Sequence, residues 1–467
     1  MRIVMKFGGT SVADGSKIKN VASLIKRFYD AKNEVIVVVS ALSGVTDQLE
    51  KIAKKASEDG KTSDVRSFMK NIKERHYSVA KEAIAGEELK AVVEELNARL
   101  KDLENALISI CHLRELTARS NDYISSFGER LSAPILSASL KSMNLSSVTL
   151  TGGDAGIVTD SNFKNARPLL DMTDIKVKER ISPLLQKQTI PVITGFVAAD
   201  DKGIITTLSR GGSDYTASLI GAAIDADEIW IWTDVNGIMT SDPRIISDAR
   251  TLPTISYLEA MELSYFGAKV LHPKTIEPAI KKGIAVRVRN TFNSDHPGTL
   301  IVNSHEEIKD IIKAVTLIRN VALIHISGSG MAGIPGVAGR VFTALGRIGA
   351  NIMMISQSSS EANISLVVDE SQLDLSLNAL KTEFTENIVK DIFYDKNICV
   401  IAVVGDGMAG IPGVAGRVFT ALGRIGANIM MISQGSSEAN ISFVVNKADS
   451  QKAVRELHDE FKLGVER

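Results

Sequence analysis

Residues 330–368 read GMAGIPGVAGRVFTALGRIGANIMMISQSSSEANISLVV, and residues 407–445 repeat them with two changes, Ser358 to Gly435 and Leu366 to Phe443. Such self-similarity marks a duplicated structural unit. In each copy an apolar strand (321–326; 398–404) runs into a glycine-rich turn. A helix follows (337–348; 414–425), and Gly349 or Gly426 punctuates its end. Two strands then pair as a hairpin around SSSEAN or GSSEAN (352–356 with 364–368; 429–433 with 441–445). A second helix closes each unit (373–384; 451–461). The order β-α-β-β-α is a ferredoxin-like unit short of its last strand.

The first copy finds that strand in IVKDIFYD, which follows its second helix. The second copy is followed only by KLGVER, too short and polar. An unused strand, IKAVTLI at 312–318, precedes the first copy, with Lys313 in the place of Lys390. The second unit is therefore expected to borrow 312–318. The first unit, about 320–396, is then inserted in the second, about 397–467, within one domain over 304–467.

Composition bounds the rest. A chain of 467 residues suggests two to four domains. Lys+Arg is 54 and Asp+Glu is 55, a balance that argues against bulk attraction to nucleic acid or anionic membrane. Cys111 and Cys399 belong to no CxxC or Cys/His cluster, which excludes a disulfide framework and structural zinc. The N-terminal MRIVMKFGGTSV lacks a signal-peptide apolar region, and no apolar run approaches the ~20 residues of a membrane span. A cytoplasmic location is expected.

GSGMAG at 328–333 and GDGMAG at 405–410 fit the dinucleotide fingerprint by letter. The acidic residue required about 20 residues on is missing, because that stretch reads NIMMISQ. Both copies instead resemble ACT domains, which bind amino acids where two such units meet. A glycine turn before a helix offers backbone N–H groups to a small carboxylate. By analogy with threonine-binding members, Gln357 and Gln434 are the expected effector ligands, followed by Asn351 and Asn428.

Residues 1–303 alternate strands and helices, the pattern of a three-layer α/β/α domain with a mostly parallel sheet. Strands are expected at 3–7, 35–40, 147–150, 190–194, 204–206, 228–233 and 285–289, with a long helical region over 63–116. Ligands of such sheets bind at the carboxyl ends of strands, and the chemical motifs fall there. Lys6-Phe7-Gly8-Gly9-Thr10-Ser11 places a cation, two glycines and hydroxyls together, the parts of a phosphate cradle. Ser40-Ala41 and Gly44-Val45-Thr46 form a second strand-to-helix turn. Phe127-Gly128-Glu129-Arg130 joins an acid to a base. In Leu208-Ser209-Arg210-Gly211-Gly212-Ser213-Asp214, Arg210 can grip a carboxylate in bidentate fashion, and Asp214 lies in a helix's first turn. Two further segments are WTDVNGIMTSDPR at 232–244 and FGAKVLHP at 266–273.

Taken in order, KFGGTS, SFGER, LSRGGSDYTA, WTDVNGIMTSDPR and FGAKVLHP resemble the aspartokinase family, within the amino acid kinases. The resemblance spans the chain, since these enzymes carry two C-terminal ACT units, one inserted in the other. It is strongest to the monofunctional, archaeal-type members. It implies transfer of phosphate from ATP, with Mg²⁺, to the side-chain carboxylate of L-aspartate. This is the first step of lysine, threonine and methionine biosynthesis. Carried onto this sequence, Lys6 neutralises the transferring phosphoryl group, and Gly8 and Gly9 contact phosphate. Ser40, Thr46, Glu129, Arg210 and Ser213 surround aspartate, with Glu129 on its ammonium and Arg210 on its α-carboxylate. Asp214 orients the reacting end or a metal-bound water. Thr233, Asp234, Met239, Arg244, Lys269 and Val270 match the nucleotide site. Met239 replaces a tyrosine usual there. No residue is assigned as a direct metal ligand.

The implied partners are L-aspartate and an amino-acid effector, threonine first and lysine second. A homodimer through the ACT units is expected, or a tetramer of paired dimers. Two other readings stand beside this one: a kinase of another acidic amino acid such as glutamate, and an inactive amino-acid sensor.

Overall fold

The computed structural model describes residues 1–465 except 210, 266–272, 304–310, 385–387 and 436. The chain packs as two units. The first holds Met1–Ile238, Pro253–Tyr257 and the strands Ala285–Asn290 and Thr299–Val302. The second holds Met239–Leu252, residues 258–265 and the described residues after 310.

The first unit is built on an eight-stranded sheet among the described residues. Its order is Ser147–Leu150, Ile190–Thr194, Glu34–Val39, Arg2–Phe7, Glu228–Thr233, Ala285–Asn290, Thr299–Val302 and Thr254–Ser256. Every neighbouring pair is parallel except Ala285–Asn290 with Thr299–Val302. The mostly parallel α/β architecture read from the sequence is the one observed. The central strands are apolar on both faces: Ile36, Val37, Val38 and Val39 are fully buried, as a parallel sheet covered on both sides requires. Phe7 stacks on Trp232 with ring centroids 6.0 Å apart, fastening the first strand to its neighbour.

Strand order reverses direction about Arg2–Phe7. The chain goes to Glu34–Val39 on one side and later returns as Glu228–Thr233 on the other. Such a switch point opens a crevice at the strand ends. The long helical region is two helices, Thr62–Ala83 and Glu88–Leu113. Gly86, at φ +72°, stands between them in a backbone conformation that other residues disfavour. A small second sheet, Val158–Thr159, Val197–Asp200 and Ile205–Thr207, was only partly visible in the sequence pattern.

The second unit contains two four-stranded antiparallel sheets. One runs Ile352–Gln357, Asn363–Asp369, Val321–Ser327, Asp391–Asp395. The other runs Ala314–Ile318, Ile398–Val404, Asn440–Asn446, Ile429–Gln434. Ala314–Ile318 thus pairs with a strand far along the chain, and the first repeat is threaded between them. Gly405 makes the crossing possible. A Cβ there would lie 2.5 Å from Ile311 O, so only glycine lets the two backbones pass. Each sheet packs one face on helices. Val341 and Leu345 cover the first, Val418 and Leu422 the second, all four fully buried.

Candidate active site

Three turns leave adjacent strand ends in register. Gly8 N donates to Trp232 O at 3.2 Å, Ser40 N to Phe7 O at 3.1 Å, and Gly195 N to Val39 O at 2.9 Å. Each bond carries the parallel ladder beyond the strand and fixes where its turn begins. The turns touch closely. A Cβ on Gly9 would stand 2.9 Å from Ala41 O, and one on Gly195 would stand 2.5 Å from Ser213 Oγ. Glycine at both places is a packing requirement.

Between the turns lies a cavity of about 430 Å³, lined by Lys6, Gly9, Ser40, Thr46, Glu129, Ser213 and Asp214 among others. These residues come from four separate sequence motifs. Lys6 Nζ lies 2.5 Å from Asp214 Oδ1, with the side chains 12% and 13% exposed. Asp214 stands in the first turn of the helix Gly212–Ala223, whose N-cap Gly211 has φ +80°. Ser40 Oγ donates to Ser213 Oγ at 2.9 Å, and Ser132 Oγ donates to Ser40 O at 2.8 Å. The hydroxyls are therefore held in place before any ligand arrives.

Glu129 is buried in the first turn of the helix Phe127–Lys141. Its Oε1 accepts from Ala41 N at 3.2 Å, while its Oε2 is buried with no hydrogen-bond partner. Burial pushes its carboxyl up to about 8, against the smaller opposing effect of the backbone N–H bonds. A buried orphan oxygen on an acid is suited to a ligand donor such as an ammonium.

The other expected residues stand elsewhere. Gly8 lies against Lys6, its Cβ position 3.8 Å from Lys6 Nζ. Thr233 Oγ1 donates to Asp234 Oδ1 at 3.2 Å at the end of the adjacent strand, and neither residue is in the cavity lining. Met239 and Arg244 belong to the second unit, where Arg244 is exposed. Met239 bridges to Thr251, and Arg244 folds back on Asp242 through bonds of 2.9 and 2.7 Å. Arg210, Lys269 and Val270 lie outside the described residues. In the second unit, Gln357 and Gln434 are exposed ends of equivalent strands, and Asn351 and Asn428 are exposed just before those strands. Each glycine turn already has one N–H engaged: Gly333 N donates to Glu361 Oε2 and Gly410 N to Glu438 Oε2.

Asp122 was missed by the sequence reading. It is fully buried and accepts from Thr207 N, Thr207 Oγ1 and Lys164 N at 3.0, 2.8 and 3.0 Å. It anchors the strand Ile205–Thr207, which leads directly into the 208–214 turn. An acid beside apolar Tyr123 and Ile124 was the available signal.

The amino acid kinase family profile matches residues 1–290, and the ACT domain profile matches 324–384 and 401–461. Over 469 residues the chain is 35% identical to aspartokinase 1, chloroplastic, of Arabidopsis thaliana, covering 98% of this chain and 80% of that protein. It is an aspartokinase by family.

Two solved structures of E. coli aspartokinase III support the family assignment at 28% identity and a TM-score of 0.83 each. One, in complex with aspartate and ADP, is matched over 99% of this chain and 100% of that one. The other, in complex with lysine and aspartate, is matched over 98% and 99%. The chain spans about half the length of some aspartokinase relatives. It matches 50% of bifunctional aspartokinase/homoserine dehydrogenase 2 of Arabidopsis thaliana, at 35% identity. No helix among the described residues is long and apolar enough to cross a membrane.

Proposed function

We propose that this aspartokinase-family chain transfers the γ-phosphoryl group of ATP to the side-chain carboxylate of L-aspartate, forming ADP and 4-phospho-L-aspartate. The observation that carries the reading is the convergence of Lys6, Glu129, Ser213 and Asp214 on one cavity at the sheet's switch point. The substrate carboxylate is its own nucleophile. The protein need supply only positioning and charge, the terms that dominate phosphoryl transfer. Lys6 offers positive charge to the moving group, and the backbone at Gly8 and Gly9 offers close approach. Glu129 receives the substrate ammonium at Oε2. Ser40, Thr46 and Ser213 bind its polar atoms, and Arg210 takes its α-carboxylate. Asp214 orients the reacting end.

The complex of E. coli aspartokinase III with aspartate and ADP supports the same ligands here. Thr233, Asp234, Met239, Arg244, Lys269 and Val270 are the proposed nucleotide contacts. Among the described residues no group of three His, Cys, Asp or Glu side chains is placed to hold a metal. One carboxylate, Asp214, beside a phosphate site fits Mg²⁺, which uses few protein ligands and keeps phosphates and water around it. Mg²⁺ would supply further charge neutralisation of the phosphates.

The ACT units are proposed to sense threonine through Gln357 and Gln434, with Asn351 and Asn428 beside them. Lysine is the second candidate, supported by the lysine complex of the E. coli relative. Exposed Ile355 and Ile432, at 42% and 45%, are apolar surface suited to pairing of two chains. A homodimer, or a tetramer of paired dimers, is proposed on that surface; a cytoplasmic location is proposed separately.

The deciding assay is ADP formation with L-aspartate, repeated with L-glutamate and titrated with threonine or lysine. Turnover with aspartate alone supports the reading. Turnover only with glutamate, or threonine binding without any turnover, replaces it with one of the two alternatives.

A further inference from the structure

The two repeats share sequence and backbone but differ in surroundings. In each, the first strand ends at a glycine packed against the chain entering the fourth strand. A Cβ on Gly328 would lie 2.4 Å from Ile388 O, and one on Gly405 would lie 2.5 Å from Ile311 O. Gly328 N donates to Ala362 O and Gly405 N to Ala439 O, both at 3.0 Å. Lys390 N donates to Ser327 O at 2.8 Å, and Lys313 N to Val404 O at 2.9 Å. Ser329, Asn363 and Lys390 therefore occupy the places that Asp406, Asn440 and Lys313 hold in the second repeat.

In the second repeat those places hold two carboxylates. Lys313 Nζ lies 2.9 Å from Glu259 Oε2, and Asp406 N donates to Glu259 Oε1 at 2.9 Å. Asn440 Nδ2 donates to Glu262 Oε2, also at 2.9 Å. Both acids come from the helix Tyr257–Tyr265. The Glu259 side chain is fully buried and Lys313 is 11% exposed, so these charge-assisted bonds are shielded from water. One N–H, one ammonium and one carboxamide make a donor set matched to a pair of carboxylates.

The first repeat presents the same donor set in the same backbone frame, but open to solvent. Ser329, Asn363 and Lys390 are all exposed. Among the described residues no carboxylate pairs with Lys390 or with the Asn363 side chain. Ser329 also replaces Asp406, which removes a negative side chain from the cradle and favours an anion there. Gln357 pairs in register with Ile364, so Asn363 stands at the same end of the sheet as Gln357.

We infer that Ser329 N–H, Asn363 and Lys390 form a binding site for a small dicarboxylate of the acidic amino-acid type. One carboxylate lies across the Ser329 N–H and the Lys390 ammonium, and the second acceptor lies on Asn363 Nδ2. The second repeat cannot take this ligand, because Glu259 and Glu262 of its own chain fill the equivalent place. Two nearly identical sensor units therefore differ in what reaches them. The proposal does not rest on phosphoryl transfer.

Calorimetric titration of the full-length chain with glutarate tests it. Glutarate has no ammonium to engage Glu129. The wild-type chain should bind one equivalent with a dissociation constant of about 1 mM. Lys390→Ala should weaken binding by about tenfold or more, Asn363→Ala should weaken it less, and Lys390→Arg should retain it. Lys390 is exposed, so these variants test the site without disturbing a core. Equal binding by wild type and Lys390→Ala, or no binding by wild type, overturns the proposal.

Discussion

Lys6 Nζ and Asp214 Oδ1 stand 2.5 Å apart in the cavity lining, in side chains only 12% and 13% exposed. The pair joins the end of the first strand to the first turn of the helix Gly212–Ala223. On the proposed function, a phosphoryl group at Lys6 shares that ammonium with Asp214. The contact holds the Lys6 side chain in one place before any ligand arrives, the kind of preorganisation that the proposed phosphoryl transfer needs.

Lys6→Met removes the cation but keeps much of the volume. Its kcat for aspartate-dependent ADP formation should fall by about 10²–10³-fold, the cost of losing one preorganised charge-stabilising group. Lys6→Arg should recover part of that loss. Unchanged kcat in Lys6→Met would remove Lys6 from the reaction.

Glu129 predicts a pH dependence. Its carboxyl is pushed up to about 8 by burial, so near pH 7 it is mostly neutral in the ligand-free chain. Binding the substrate ammonium favours the ionised form. The kcat/KM for aspartate should rise with pH and level off above about 8, since this ratio reports the free enzyme. Glu129→Gln should give a low, flat profile.

The same group bears on stability. A folded-state value raised above the unfolded one contributes stability that is fully present below the unfolded value of 4.5. That contribution is lost as pH rises through about 8. Glu129→Gln, measured by urea denaturation, should therefore gain on wild type as pH increases from 5 to about 9. A difference that does not change with pH would contradict the buried, neutral acid.

Gly195→Ala would place a Cβ 2.5 Å from Ser213 Oγ and 2.6 Å from Ser213 Cβ. Ser213 and its partner Ser40 must then move. The KM for aspartate should rise about tenfold or more, with a stability loss of about 1–3 kcal/mol from overpacking. Crystals of the variant should show the Ser40–Ser213 bond, now 2.9 Å, lengthened or broken.

Glu259→Ala removes the carboxylate that Lys313 Nζ meets at 2.9 Å, in a place where the lysine is only 11% exposed. Breaking a buried pair from one side costs about 3–5 kcal/mol. Hydrogen exchange in the neighbouring strand Ala314–Ile318 should quicken, while Asp391–Asp395, its counterpart in the first repeat, should be little changed.

Much of this was legible in the sequence where local pattern and tertiary need agree. The all-apolar run at 35–39 announces a buried parallel strand, and Lys313 aligned with Lys390 announces the threading of one repeat through the other. What escaped depends on partners distant in sequence. Asp122 reads as one more helix-surface acid until Thr207 and Lys164 are brought to it. The break at 84–87 hinges on Gly86 alone, a weak signal inside a strongly helical stretch. The repeats look equivalent letter by letter, and only the folded chain reveals that Glu259 and Glu262 occupy one of them.

The most direct measurement of the central reading is ADP formation by the purified chain with ATP and Mg²⁺, comparing L-aspartate, L-glutamate and no acceptor. The geometry around Lys6, Glu129 and Asp214 predicts turnover that requires L-aspartate and is nearly abolished in Lys6→Met. ADP formation at the same rate with no acceptor, or none with L-aspartate, would contradict it.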